Sequence, residues 1–377
     1  MLSRRSFFAT TFKTAGLGAV AAAAASFPTE LLSWVEPSRA PQAGGPVLLN
    51  SNENAYGPFP SVLALPNPFQ DVNRYPDHHS DVISERLAAL HKVDVACVVT
   101  GCGSTEILRV AANAFTGPGR KLVTATPTFE AIWSYADTVH AKTIKVPLAA
   151  NFTHDLGAML KAAGTDAGLV YICNPNNPTG NTTPRAEMED FIHKLPKNSR
   201  VLIDEAYHDF VPAGPDYASF LDRPMDDHRI IVARTFSKIY GLAGMRLGYG
   251  IAAKDTAAEL QKHRLQDSLN IFVMRCALTG LDDSAGHQLA VQRNAADRDE
   301  FIRQASARKL KTIPSSANFV MLNSNRPVRG LIDHFRKNNV AIGRPFPPLD
   351  TYARISLGTP PQMQEFWRVW DMLPKLQ

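Results

Sequence analysis

The sequence predicts an α/β protein whose mostly parallel sheet is covered by helices. Three observations lead there. From about residue 80 onward, segments of helical period alternate with short apolar runs, the pattern of strand–helix–strand units. No repeat period, long low-complexity tract or coiled-coil heptad interrupts that alternation. A chain of 377 residues, 45% hydrophobic and 20% charged, is of ordinary globular composition and too long for one small core, so two domains are expected.

The helical segments are SDVISERLAALHK, STEILRVAANAF, TFEAIWSYADTV, LGAMLKAAGTDA and PRAEMEDFIHKL. Between them run CVVTG, KLVTAT, TIKVPL, GLVYICN, RVLIDEA and RIIVART, which read as strands. The stretch AAELQKHRLQDSLN is expected to be a helix bridging the two domains. In open sheets of this kind a ligand lies beyond the carboxyl ends of the strands. The residues that follow each apolar run are therefore the ones to inspect.

The formal charge of +5 is weak evidence for a nucleic-acid partner, because Arg4, Arg5 and Lys13 supply three of the five charges within a segment free of acidic residues. No basic run interleaved with aromatics follows, and none is expected to bind nucleic acid. Residues 1–28 combine that basic start with an apolar, Ala-rich middle from Ala15 to Ala25 that is too short to span a bilayer. The run Ser3-Arg4-Arg5-Ser6-Phe7-Phe8 resembles a twin-arginine export signal. It implies a periplasmic or otherwise exported product; the other reading is a basic amphipathic helix that stays in place, with the protein cytoplasmic. Cys97, Cys102, Cys173 and Cys276 lack metal-ligand spacing and read as small buried hydrophobes. His78, His79 and His208 read as surface or structural, and no metal site is expected.

After CVVTG, glycines 101 and 103 precede Ser104 and Thr105 at a predicted helix start. Free backbone N–H groups and two hydroxyls there suit a phosphate, although a plain N-cap accounts for Ser104 equally well. The turn CNPNNPTGN can hold the Asn177 amide rigidly. Asp204 closes a buried strand, where a carboxylate is costly without a cationic partner or a helix N-terminus. In RTFSKIYGLAGMRLGY, Lys238 follows the last apolar run and Arg246 stands eight residues later.

Taken in order, GxGSTE, PTF, NPNNPTG, DEAY, SK and the arginine after the lysine resemble the class I/II aminotransferases that use pyridoxal 5′-phosphate. NSNENAYGP at 50–58, RYPD at 74–77, DEAYHDF at 204–210 and ARISLGTP at 353–360 are most similar to the histidinol-phosphate aminotransferase branch. The resemblance covers nearly everything after the export signal. It implies an aspartate aminotransferase-like fold of type I, with a large cofactor domain over 57–265, a small α/β domain over 266–377, and an N-terminal arm over 29–56 that packs with the small domain or a partner.

The resemblance also implies roles. Lys238 would form a Schiff base with the cofactor aldehyde and shuttle a proton, which requires a neutral amine. Ser237, Arg246, Ser104 and Thr105 would hold the cofactor phosphate. Asp204 would sit against the pyridine nitrogen, Tyr207 and Asn177 on the ring oxygen, and Phe129 and Ala206 on the two ring faces. Phe129 departs from the family, which more often has tyrosine there. Tyr56 resembles the tyrosine that reaches the neighbouring subunit's cofactor phosphate, which implies a homodimer with shared active sites. Arg354 matches the arginine that grips the anionic end of the substrate, and Arg344 is a second candidate cation or else a structural ion pair.

Three functions follow. The first is transamination between an amino acid or histidinol phosphate and a 2-oxo acid, with 2-oxoglutarate as the expected acceptor. The second is decarboxylation or elimination on the same scaffold, since the fold does not decide which bond at Cα breaks. The third is a non-catalytic exported protein that binds the cofactor or a metabolite.

Overall fold

The computed structural model describes residues 45–374 except 68, 69 and 213, so the segment read as an export signal and the first part of the arm lie outside the described residues. So do the side chains of His78 and His79. Strand β1 (Val47–Leu49) comes first, followed by seven strands of one sheet: β2 (Val98–Gly101), β3 (Lys121–Thr126), β4 (Thr143–Pro147), β5 (Ala167–Cys173), β6 (Arg200–Asp204), β7 (Ile230–Thr235) and β8 (Gly248–Ala252). Their spatial order is β2-β8-β7-β6-β5-β3-β4. All neighbours are parallel except β8, which runs antiparallel to both β2 and β7.

β5 and β8 are buried along their whole length and β6 and β7 all but one residue each, as strands covered on both faces must be. Side chains alternate between two cores. Val170, Ile172, Val201, Ile203 and Val232 enter one layer, while Leu169, Tyr171, Cys173, Leu202, Ile231 and Ala233 enter the other. That alternation fixes the register, and with it the pairing of Cys173 with Asp204 at the carboxyl ends of β5 and β6.

The C-terminal part adds β9 (Lys311–Thr312), β10 (Phe319–Asn323), β11 (Val340–Ile342) and β12 (Tyr352–Ser356). An antiparallel sheet orders β12-β10-β9, and β11 pairs in parallel with β1 from the other end of the chain. The helices Ser284–Ala307, Val328–Lys337 and Pro360–Asp371 bury a separate core rich in aromatics, in which Phe335 stacks on Phe366 with centroids 4.9 Å apart. Among the described residues no helix is long and apolar enough to cross a membrane.

Two expectations need correction. AAELQKHRLQDSLN is not one helix: Lys254–Gln261 ends there, Asp267 adopts φ +51°, and the next helix is Ile271–Asp282. The connecting turn is tied down instead, because Leu265 N and Ser268 Oγ donate to the Glu106 carboxylate and Arg264 donates to Thr100 Oγ1 at 2.9 Å. Anchoring to a neighbouring helix start overrides the local helical period. The cysteines also divide. Cys173 and Cys276 are buried, whereas Cys97 is half-buried and Cys102 exposed, since the latter two lie in the turns flanking β2 rather than within the sheet.

Phe366→Ala removes a fully buried ring from the aromatic core. Chemical denaturation should show a loss of about 3–5 kcal/mol, as for other buried Phe→Ala changes.

Candidate active site

The carboxyl ends of the parallel strands open into a cleft of about 800 Å³. Ser104, Thr105, Phe129, Asn177, Asp204, Ala206, Tyr207, Ser237, Lys238, Arg246, Arg344 and Arg354 all line it. Tyr56 does not. It is exposed in a second groove, where its hydroxyl donates to Asp297 Oδ2 at 3.0 Å and its pKa is pushed up to about 12 by burial and by that carboxylate.

One end of the cleft is an anion cradle. The helix Ser104–Phe115 starts at Gly103, whose φ of +77° suits glycine, and a Cβ at Gly103 would run into the Arg246 guanidinium. A Cβ at Gly248 would likewise strike the Ser104 main-chain nitrogen. Arg246 itself has φ +62° and spreads its guanidinium over Thr105 Oγ1 (3.3 Å), Ser237 Oγ (3.3 Å) and the Ala243 carbonyl (3.0 Å). Free N–H groups at a helix start, three hydroxyls and a guanidinium are the chemistry that suits a phosphate. Glu106, the acid of this first turn, is held away from it by Cys102 N at 2.6 Å and by Arg109.

The centre of the cleft holds two ionisable groups, the half-buried Lys238 and the buried Asp204. Lys238 Nζ donates to the carbonyls of Asn52 (3.1 Å) and Ser51 (3.4 Å). Burial first, then Arg354 and Arg246, lower its pKa to about 8, against the pull of Glu53 and Asp204. Asp204 is buried and accepts from Tyr171 Oη (2.8 Å) and from Ala206 N (3.1 Å). Burial raises its pKa to about 6 despite both hydrogen bonds. Each shift favours the neutral form, so both groups are poised for a ligand that restores a charge partner.

Across the cleft, Arg354 is buried and donates to Asn177 Oδ1 and to the Asn50 carbonyl, both at 2.6 Å. Its Nε is buried without a partner, and burial lowers its pKa to about 10. An arginine left short of an acceptor suits an incoming carboxylate or phosphate. Because Asn177 Oδ1 faces Arg354, Asn177 Nδ2 faces Tyr207 and donates to its hydroxyl at 3.3 Å. Arg344 is exposed, paired with Glu130 and laid over Phe346, so much of its charge is already answered. His208 is structural, bonded to Tyr217 Oη at 3.2 Å and to Asp222. Among the described residues no cluster of side chains could hold a metal ion.

In the sequence NSNEN stands only as a mark of resemblance. The structure brings Asn50, Ser51, Asn52 and Glu53 into the cleft, together with Ile332, Arg336 and the β11 segment. The signal lay in a polar run directly after the apolar β1, at a strand end like the others.

The family profile "Aminotransferase class I and II" matches residues 45–369. The chain belongs to this family. This aminotransferase is similar to the histidinol-phosphate aminotransferase of Moorella thermoacetica, with 35% identity over 325 residues, 85% of this chain and 84% of that protein. Among solved structures it resembles a putative histidinol-phosphate aminotransferase from Erwinia carotovora atroseptica, at 31% identity and TM-score 0.82, covering 89% of this chain and 97% of that one. It also resembles the Sinorhizobium meliloti histidinol-phosphate aminotransferase in complex with pyridoxal-5′-phosphate, at 27% identity and TM-score 0.81, covering 92% and 96%.

The lowered pKa gives a direct test on the ligand-free aminotransferase. Reductive methylation at Lys238, followed by peptide mass spectrometry, should accelerate with pH and level off above about 8. Solvent-exposed lysines should keep accelerating toward their ordinary value of about 10.4.

Proposed function

We propose that this aminotransferase, whose cofactor is pyridoxal 5′-phosphate, holds that cofactor in the cleft and moves an amino group from an amino acid or histidinol phosphate to a 2-oxo acid, with 2-oxoglutarate as the acceptor. The observation that carries the reading is the convergence on one cleft of a lysine without a carboxylate partner, a buried carboxylate and a helix-start phosphate cradle. The residues fit the group. Ser104, Thr105, Ser237 and Arg246 would take its phosphate; Asp204 would take the ring nitrogen, Asn177 and Tyr207 the ring oxygen, and Phe129 and Ala206 the faces. When bound, the cofactor supplies an aldehyde that exchanges with amines and an electron-poor ring that stabilises negative charge at the substrate carbon.

Lys238 does the proton work. With its pKa lowered to about 8, a substantial neutral fraction exists near pH 7.5, available to take a proton from substrate Cα and return it. Asp204 regains its charge once a cationic N–H lies against it, which offsets the burial that now raises its pKa. Arg354 binds and orients the substrate anion with its guanidinium, whose Nε–H the protein leaves without an acceptor. Arg344, freed from Glu130, would add a second cation on the same side.

Further parts of the reading concern assembly and place. Residues 57–265 form the cofactor lobe and 266–377 the lobe that closes over substrate and excludes water. Tyr56, exposed on this chain, reaches the cofactor phosphate of a second copy, so the working unit is a homodimer. The segment 1–28 directs export by the twin-arginine route.

Purified protein should be yellow, with borohydride fixing the cofactor to Lys238. Lys238→Ala should abolish that adduct and lower turnover by about 10²–10⁴, the usual loss on removing a general base. A donor screen with mass analysis should find an oxo acid as product. Release of CO2 would instead support decarboxylation, and a bound cofactor without turnover of any donor would support a binding protein.

A further inference from the structure

Asn52 is one of the most completely engaged polar residues in the described structure. It is 1% exposed and adopts φ +55°, a left-handed conformation that asparagine tolerates better than other side chains with a Cβ. Its main-chain N–H donates to Ser356 Oγ at 2.8 Å, and Ser356 Oγ returns a hydrogen bond to Asn52 Oδ1 at 3.1 Å. Its main-chain carbonyl accepts from Lys238 Nζ at 3.1 Å and from Asn318 Nδ2 at 3.0 Å. Its side-chain amide donates to Tyr207 Oη at 3.1 Å.

These contacts form one consistent set of proton directions. The Ser356 hydroxyl oxygen accepts from Asn52 N–H and sends its own proton to Asn52 Oδ1, and with Oδ1 so engaged the Asn52 NH2 group faces Tyr207. Tyr207 Oη accepts from Asn52 on one side and from Asn177 on the other. With both lone pairs occupied, the phenol can only donate its own proton elsewhere, and it is a cleft-lining group. The ring is fixed as well, packed edge-on against Phe319 with centroids 5.0 Å apart.

We propose that Asn52 is a positioning residue that, braced by Ser356, aims the Tyr207 hydroxyl proton into the cleft while its main-chain carbonyl parks the Lys238 amine. The inference rests on the placement of the cofactor proposed above. A donor aimed at the cofactor's ring oxygen stabilises the anionic form of that oxygen and so favours loss of the neighbouring proton. Asn52 thereby sets the acidity of the bound cofactor without touching it.

The test is the pH titration of the visible absorbance of substrate-free holoenzyme. Asn52→Gly keeps the left-handed backbone and the carbonyl that holds Lys238, yet removes both side-chain bonds. It should raise the midpoint by about half a pH unit or more, and Ser356→Ala should move it the same way by less. Asn52→Asp keeps the volume but offers Tyr207 only an acceptor, which draws the phenol proton out of the cleft, so its midpoint should rise further. In a Tyr207→Phe background Asn52→Gly should add almost nothing. Unchanged midpoints in folded Asn52→Gly and Asn52→Asp proteins would overturn the inference, as would an undiminished shift in the Tyr207→Phe background. Should Asn52→Gly not fold, Asn52→Asp decides alone by the same criteria. A wild type that shows no visible band overturns the cofactor placement and this inference together, whereas a normal wild-type titration with unmoved variants overturns this inference only.

Discussion

A half-buried amine and a buried carboxylate share one cleft here, and neither neutralises the other by direct contact. Lys238 rests on main-chain carbonyls, and Asp204 on a phenol and an amide N–H. Placing charged groups in a low-dielectric interior without partners is unfavourable, which is why the amine is driven down to about 8 and the carboxylate up to about 6. The same strain is what makes the site receptive. A ligand carrying an aldehyde, a basic ring nitrogen and a phosphate would, in the placement proposed, relieve three separate deficits at once. The burial of β5 and β6 on both faces offsets the cost of holding such a site open.

The groups that meet in the cleft come from distant parts of the chain. β5, β6 and β7 deliver Asn177, Asp204 and Lys238 from successive strand ends, which is ordinary for a parallel sheet. The opposite wall is assembled differently. β1 pairs with β11, bringing Asn50 and Asn52 against β12, where Arg354 and Ser356 stand two residues apart and therefore on one face. Two amides then converge on the Tyr207 hydroxyl: Asn177, oriented by Arg354, and Asn52, oriented by Ser356. One short strand thus orients the donors around the phenol from both sides.

Much of this was legible in the residues. The alternation of helical and apolar segments foretold the sheet, and the groups after every apolar run but TIKVPL proved to be among those that line the cleft. Ser104 and Thr105 were legible as a candidate anion site because they sit at a helix start, a local feature with a local signature. Asn52 was not, since nothing in NSNEN announces a left-handed residue buried beneath Ser356, 304 positions away. β8 is not among the apolar runs read as strands, and its antiparallel direction belongs to the path of the connection: Gly241 and Arg246 at positive φ turn the chain back between β7 and β8. AAELQKHRLQDSLN misled because its period is helical, while Glu106 captures the turn that interrupts it.

By itself the sequence determined the chemistry on offer: a lysine after a strand, an aspartate closing another, glycines that let a helix start approach an anion, and an arginine near the end of the chain. These are properties of residue types and of spacings within one turn or one strand. Only the tertiary structure decided which of those groups would be neutral, which N–H would lack an acceptor, and where each hydroxyl could send its proton. Burial, and hydrogen bonds between segments hundreds of residues apart, set those quantities, and neither exists until the chain has closed on itself.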